Sequence, residues 1–135
     1  MVKTCHGSLA VVESGSGDTP VLFIHGNSFS RGVFRYQLTG LSQEKYRLIA
    51  FDLPGHGESS NAPDPAQTYT RPGLAEAVAE VLEKLHITRA VVVGWSLGGH
   101  IGIEMMSRFS GMTGLMIIGA PPVGHNAFSQ GFRPV

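Results

Sequence analysis

The chain of 135 residues has the length of one ordinary domain, and 42% hydrophobic against 15% charged residues fits a packed core rather than a disordered tail. Ten basic and ten acidic residues cancel and lie scattered, so no long-range field or basic patch invites nucleic acid or an anionic membrane. One cysteine, Cys5, leaves no disulfide within the chain, residues 1–8 lack the apolar stretch of a signal peptide, and no apolar run spans a bilayer; a cytoplasmic protein is expected.

Residues 8–13 (SLAVVE) are strand-like and 14–18 (SGSGD) form a turn cluster, while Cys5 reads as a small residue of a terminal strand. Residues 21–24 (VLFI) are a continuous apolar run, as expected of a strand covered on both faces, and stop at His25-Gly26-Asn27. Phe34, Leu38 and Leu41 mark a helix over 31–41. Residues 48–51 (LIAF) are a second buried strand ending at Asp52, and 60–70 read as a loop. Thr70 then caps a helix with Pro72 in its first turn. Leu74, Val78, Val81, Leu82 and Leu85 form its apolar stripe, with Glu76, Glu80 and Glu83 toward solvent. Residues 90–93 are the third buried strand, a helix runs from Gly98 to about Phe109, and 115–118 (LMII) are the fourth. Buried strands alternating with amphipathic helices imply a mostly parallel open α/β sheet with helices on both faces. Function in such sheets gathers at the carboxyl ends of the strands, here at 25–27, Asp52, 94–96 and 119–121.

The run 91–100 (VVVGWSLGGH) carries the strongest chemical signal. Ser96 is flanked by Gly94 and Gly98, the G-x-S-x-G spacing of a strand–turn–helix that lifts a serine hydroxyl above the sheet. A Cβ at either glycine is expected to collide with neighbouring backbone. A serine nucleophile needs a base to take its proton and donors for the oxyanion it creates. The N–H of Leu97 and that of Asn27, brought close by Gly26, can supply the donors; an ordinary strand-end turn is the competing reading of 25–27. The base and acid are harder to find. Partners in this architecture follow the serine in the order acid, then histidine. Glu104 is the acidic residue after Ser96, and eight helical positions put it roughly 12 Å down the helix. His100 reads as a surface or core histidine, and His125 lacks a neighbouring carboxylate to hold its tautomer. Residues 52–59 (DLPGHGES) read as a rigid turn in which Asp52 and His56 tie down backbone donors. Trp95 can line an acyl pocket or pack into the core. No G-x-G-x-x-G, P-loop or H-E-x-x-H spacing calls for a nucleotide or metal, so no cofactor is expected.

HGN at 25–27, DLPGHGES at 52–59 and GWSLGG at 94–99 together resemble the α/β-hydrolase superfamily. The stretches 94–105, 114–123 and 130–132 are further similar to its N-acyl-homoserine lactonases, which open the ring of quorum-sensing signals. The resemblance implies Ser96 as nucleophile, Asn27 and Leu97 N–H groups as the oxyanion hole, and a small ester or lactone as substrate. It also implies that residues 1–135 are a truncated core domain, the N-terminal half of such a fold, without its cap and last strands. That leaves a serine hydrolase whose acid and base are missing, inactive alone, or else a non-catalytic partner subunit that needs a complementary half. The strand at 114–118 would then be an open edge prone to self-association.

Overall fold

The structure, a computed structural model, describes residues 1–120. Five strands form one sheet in the order β3–β5–β4–β6–β7. In chain order these are β3 (Val11–Ser14), β4 (Thr19–Ile24), β5 (Tyr46–Phe51), β6 (Ala90–Trp95) and β7 (Met112–Ile118). β4 pairs in parallel with both β5 and β6, and β6 with β7, whereas β3 runs antiparallel to β5. The sheet is thus mixed and mostly parallel, as the strand–helix alternation predicts.

The two faces of the sheet follow the side-chain period of two. Leu22 and Ile24 of β4, Ile49 and Phe51 of β5 and Val92 of β6 point into one apolar cluster with Leu74, Val78, Val81, Leu82, Ile101 and Met105. Those partners come from α3 (Arg71–Lys84) and α4 (Leu97–Met105). The intervening Val21, Phe23, Leu48, Ala50 and Val93 face the opposite way, onto Phe34 and Leu38. A 3₁₀ turn (Arg31–Phe34) and α1 (Arg35–Gly40) carry that second layer. Helices therefore cover both faces, and the continuous apolar runs are explained by burial on each side.

Several elements differ from the sequence reading. The strand expected over 8–13 is two strands, broken where the Ala10 N–H turns to Ser59 Oγ at 2.9 Å and its carbonyl accepts the Asp52 N–H at 2.9 Å. Its first half, β2 (Gly7–Leu9), pairs antiparallel with β1 (Val2–Thr4), and Cys5 lies in the loop between them instead of in a strand. The helix over 31–41 starts as a 3₁₀ turn, and Leu41 is extended, caps α1 and is 39% exposed. Within the loop 60–70 sits a one-turn α2 (Pro65–Thr68), capped by Asp64 with Pro65 in its first turn. α3 begins as expected, the Thr70 hydroxyl accepting the Gly73 N–H at 3.0 Å. Its polar face is partly used: Glu80 accepts the Cys5 N–H at 2.8 Å, and Glu76 lies 3.9 Å from both His6 and Arg108. α4 stops at Met105 rather than near Phe109, although the half-buried Phe109 still packs on the core.

Met116, Ile117 and Ile118 of β7 are 57%, 43% and 46% exposed. Successive residues point to opposite faces, so this apolar strand is open on both. Among the described residues no helix is long and apolar enough to cross a membrane.

Candidate active site

β6 lies between β4 and β7 in the sheet, and the chain reverses at its end with almost no linker: Trp95 closes the strand and Leu97 opens α4. Ser96 bridges them at φ 53° and ψ −115°, a left-handed region that a side-chain-bearing residue rarely adopts. Its N–H donates to the Ile118 carbonyl at 2.8 Å, and its carbonyl accepts from Gly99 at 2.9 Å. A Cβ on Gly94 would stand 2.2 Å from the Gly98 oxygen, and one on Gly98 2.1 Å from the Ile24 oxygen. The collision expected from the G-x-S-x-G spacing is therefore present at both positions. α4 opens at Leu97, so the N–H groups of Leu97 and Gly98 have no preceding helix carbonyl to bond.

The loop after β4 reaches the same point. Ile24 pairs with Gly94, which sets the ends of β4 and β6 side by side. His25 and Gly26 are buried, then Asn27 and Ser28 emerge, Ser28 with φ 63°. Gly26 lies so close to the serine that a Cβ there would be 3.2 Å from Ser96 Cβ. Ser96, Leu97 and Asn27 thus share one corner of the rim. Trp95 alternates onto the α1 face with Val91 and Val93, and its ring meets Phe29 edge-on at 4.7 Å. Trp95 is half-buried and packs on the core, and Phe29 is 50% exposed, so the pair reaches from the core to the open rim. Sequence reasoning missed Phe29, because an aromatic in a loop carries no periodic signal.

Asp52 and the histidines have other tasks. Asp52 is fully buried; Oδ1 accepts the Arg31 N–H at 2.7 Å, and Oδ2 accepts the Arg31 guanidinium and, at 2.9 Å, the Glu58 N–H. This matches the rigid turn read from 52–59. His56 differs: its Nδ1 pairs with the Pro54 carbonyl at 3.0 Å, so it holds an acceptor and not a backbone donor. His25 takes the part expected of it. Its Nδ1 donates to the Gly26 carbonyl at 2.7 Å, and Nε2 accepts the Leu53 N–H at 3.0 Å. His100 is a buried core histidine, and Glu104 sits near the far end of α4, bonded to Arg108. His125 lies outside the described residues. Among the described residues no side chain hydrogen-bonds Ser96 Oγ, and no group of His, Cys, Asp and Glu could hold a metal ion.

Burial holds the pKa of His25 below 6.5, helped by His56 and opposed by the Gly26 carbonyl and Asp52; burial and then the Arg71 charge do the same for His100. Below 6.5 the unfolded chain binds protons that the native chain does not, so native stability, full above 6.5, should fall as pH drops toward the lowered values. Urea midpoints should decline between about pH 7 and pH 5.5, ahead of the ordinary carboxylate range. A flat midpoint across that window would contradict the neutral assignment.

A groove of about 760 Å³ lies at the other end of the sheet, lined by Glu83, His86, Arg108 and Phe109 among others, and does not touch Ser96.

Comparison with known proteins places this geometry. Residues 19–134 match the family model for the alpha/beta hydrolase fold. The chain superimposes on N-acyl homoserine lactonase AidH with a TM-score of 0.91 and 52% identity, covering 99% of this chain and 49% of that one. It also resembles an esterase from Exiguobacterium antarcticum, with a TM-score of 0.74, 32% identity, and 83% and 41% coverage. A curated relative, the AB hydrolase superfamily protein YisY of Bacillus subtilis, is 34% identical over 106 residues, which are 78% of this chain and 38% of YisY. The chain therefore spans at most about half the length of these relatives. These matches lead to one assignment: the chain belongs to the α/β-hydrolase fold family.

Proposed function

We propose that the protein is a serine hydrolase of esters or lactones, and that the lactone ring of N-acyl homoserine lactones is the substrate class to try first. The observation that carries this reading is the strained Ser96 with the Gly26–Asn27 loop against it. The 52% identity to a homoserine lactonase supports the substrate class. Ser96 Oγ attacks the carbonyl carbon, and the Leu97 and Asn27 N–H groups hold the oxyanion. The proton released by Ser96 passes through solvent to the departing alkoxide, leaving an acyl-enzyme that water then hydrolyses to the acid and free Ser96. With a lactone, the leaving alkoxide stays attached to the acyl chain, and the product is the ring-opened hydroxy acid. The Trp95–Phe29 pair offers an apolar wall for the acyl group. The lone exposed thiol of Cys5 fits a reducing compartment, and we read the site of action as cytoplasmic.

We further propose that residues 1–135 are the N-terminal part of the catalytic core and that they turn over slowly without a base and acid. Serine hydrolases stripped of their relay keep only about 10³–10⁴ over water, from the oxyanion hole and binding. A non-catalytic subunit that needs a complementary half is the second reading; the two open faces of β7 favour it and make self-association through that strand part of the proposal. Prolonged exposure to a fluorophosphonate, with p-nitrophenyl butyrate turnover in parallel, separates the readings. The first expects label on Ser96, absent in Ser96→Ala, and weak Ser96-dependent turnover. No label on Ser96 would leave the subunit reading standing.

A further inference from the structure

The loop that presents Asn27 is anchored at its two ends to two adjacent residues just beyond β5, Leu53 and Asp52. At its start, His25 Nε2 accepts the Leu53 N–H; at its end, the Arg31 N–H donates to Asp52 Oδ1 at 2.7 Å. Between the anchors lie Gly26, seated on Ser96, and the emerging Asn27, Ser28 and Phe29, with the Phe29 N–H returning to the Gly26 carbonyl at 3.3 Å. The second anchor is a buried ion pair. Asp52 has no exposed surface, whereas the Arg31 side chain is 24% exposed and shared with Glu58. Stability alone does not account for such a group, because desolvating a carboxylate costs several kcal/mol and an apolar replacement of equal volume is often as stable. What the carboxylate supplies that an apolar side chain cannot is direction. Its oxygens fix one backbone N–H in each of two neighbouring loops, at Arg31 and at Glu58.

We infer that Asp52, with Arg31, is a positioning residue for the oxyanion hole, holding the 26–30 arc so that the Asn27 N–H faces the oxygen that becomes the oxyanion when Ser96 attacks. The inference rests on the serine-hydrolase reading. Asp52 touches no substrate and moves no proton in it. Its effect is confined to where a donor stands when charge develops, so it acts on the chemical step and leaves ground-state binding alone.

The test uses the whole chain and p-nitrophenyl butyrate, with the Ser96→Ala rate subtracted. Asp52→Asn keeps the shape, loses the charge and can satisfy fewer of the three donors. It should lower kcat by about tenfold or more, since a donor displaced by about 1 Å can cost 10², while KM stays within about twofold. Hydrogen exchange should quicken over 26–31 and remain as in the wild type over β6 and α4. Arg31→Lys keeps the cation and the backbone bond but not the fork that spans Asp52 and Glu58, so its kcat should fall between those of wild type and Asp52→Asn. A wild-type kcat in Asp52→Asn overturns the inference. So does a kcat loss accompanied by faster exchange throughout the sheet, which is what a purely structural residue would give. Should Asp52→Asn fail to fold, Arg31→Gln takes its place, and an unchanged kcat there counts equally against the inference. Absence of any Ser96-dependent turnover in the wild type removes the functional reading, and this inference with it.

Discussion

Ser96→Gly is expected to abolish Ser96-dependent turnover and to raise stability at the same time. The two effects share one cause. A residue with a Cβ at φ 53° and ψ −115° carries backbone strain on the order of 1–3 kcal/mol, which glycine relieves. Glycine also enlarges the unfolded ensemble, which takes back about 0.5–1 kcal/mol. Nothing else is lost, because among the described residues the hydroxyl has no hydrogen-bond partner. The net gain should be about 1 kcal/mol, or roughly 3 °C in Tm for a domain of this size. Ser96→Ala removes the same nucleophile but keeps the Cβ, so it should be equally inactive and no more stable than wild type. Urea denaturation of the two variants beside wild type measures the difference. A Ser96→Gly protein no more stable than Ser96→Ala would mean that the turn stores no strain, and that the serine is presented at no cost. In serine hydrolases with a complete relay, losing the nucleophile costs about 10⁶ in kcat. In this chain only the Ser96-dependent part should vanish, leaving what binding and the oxyanion donors supply by themselves.

The turn that carries this strain was legible in the sequence, because its determinants lie within one contiguous stretch. Three valines name a buried strand, two glycines name the close approaches, and the serine between them has nowhere to go but out of the sheet. Two of the strands read as buried were legible for a similar reason, Val21–Ile24 and the run 48–51 being apolar at every position. The run 115–118 is equally apolar and reads as buried too, yet Met116, Ile117 and Ile118 are exposed, because an all-apolar run does not tell an inner strand from an outer one. The β1–β2 hairpin was not legible. Val2–Thr4 is three residues long with one buried-leaning face, too short for a period of two to register. The one-turn α2 carried a signal, Asp64 before Pro65, that a loop reading of 60–70 passed over.

At the site, the limit has a different origin. Arg31 meets Asp52 across 21 positions and Glu58 across 27, and no local spacing relates them. Phe29 meets Trp95 only because Ile24 and Gly94 stand opposite each other in the parallel register. Sequence patterns report what neighbours along the chain do to each other. The rim of a parallel sheet is assembled from strand ends that are far apart in the chain, so the residue that presents chemistry is readable and the residues that aim it are not. Asp52 was readable as a turn former from its own loop, since Glu58 is six residues away. Its hold on the Asn27 loop became visible only once β4 and β5 were paired.

Gly98→Ala is expected to be strongly destabilising although it adds a single methyl. The added carbon would lie 2.1 Å from the Ile24 oxygen, 2.7 Å from the Ile24 carbonyl carbon and 2.9 Å from the His25 oxygen. All three are backbone atoms at the end of a strand that is paired on both sides, so none can swing aside as a side chain would. The helix must retreat instead. α4 is held by Ile101 and Met105, both fully buried against the sheet, and a shift of about 1 Å at its start would unseat them. Overpacking of this kind costs about 1–3 kcal/mol, occasionally more, and the rigidity of the colliding atoms puts this case at the upper end or beyond. The surviving folded fraction should also be slow, because the Leu97 N–H moves with the helix and a displacement of that size at a catalytic donor costs about 10² in kcat. Gly40→Ala makes the right comparison: a Cβ there meets nothing within 4 Å, and its effect should stay within about 0.5 kcal/mol. Urea midpoints of the two alanine variants decide the matter, and a Gly98→Ala protein as stable as Gly40→Ala would mean that α4 does not press on the end of β4 as the backbone geometry requires.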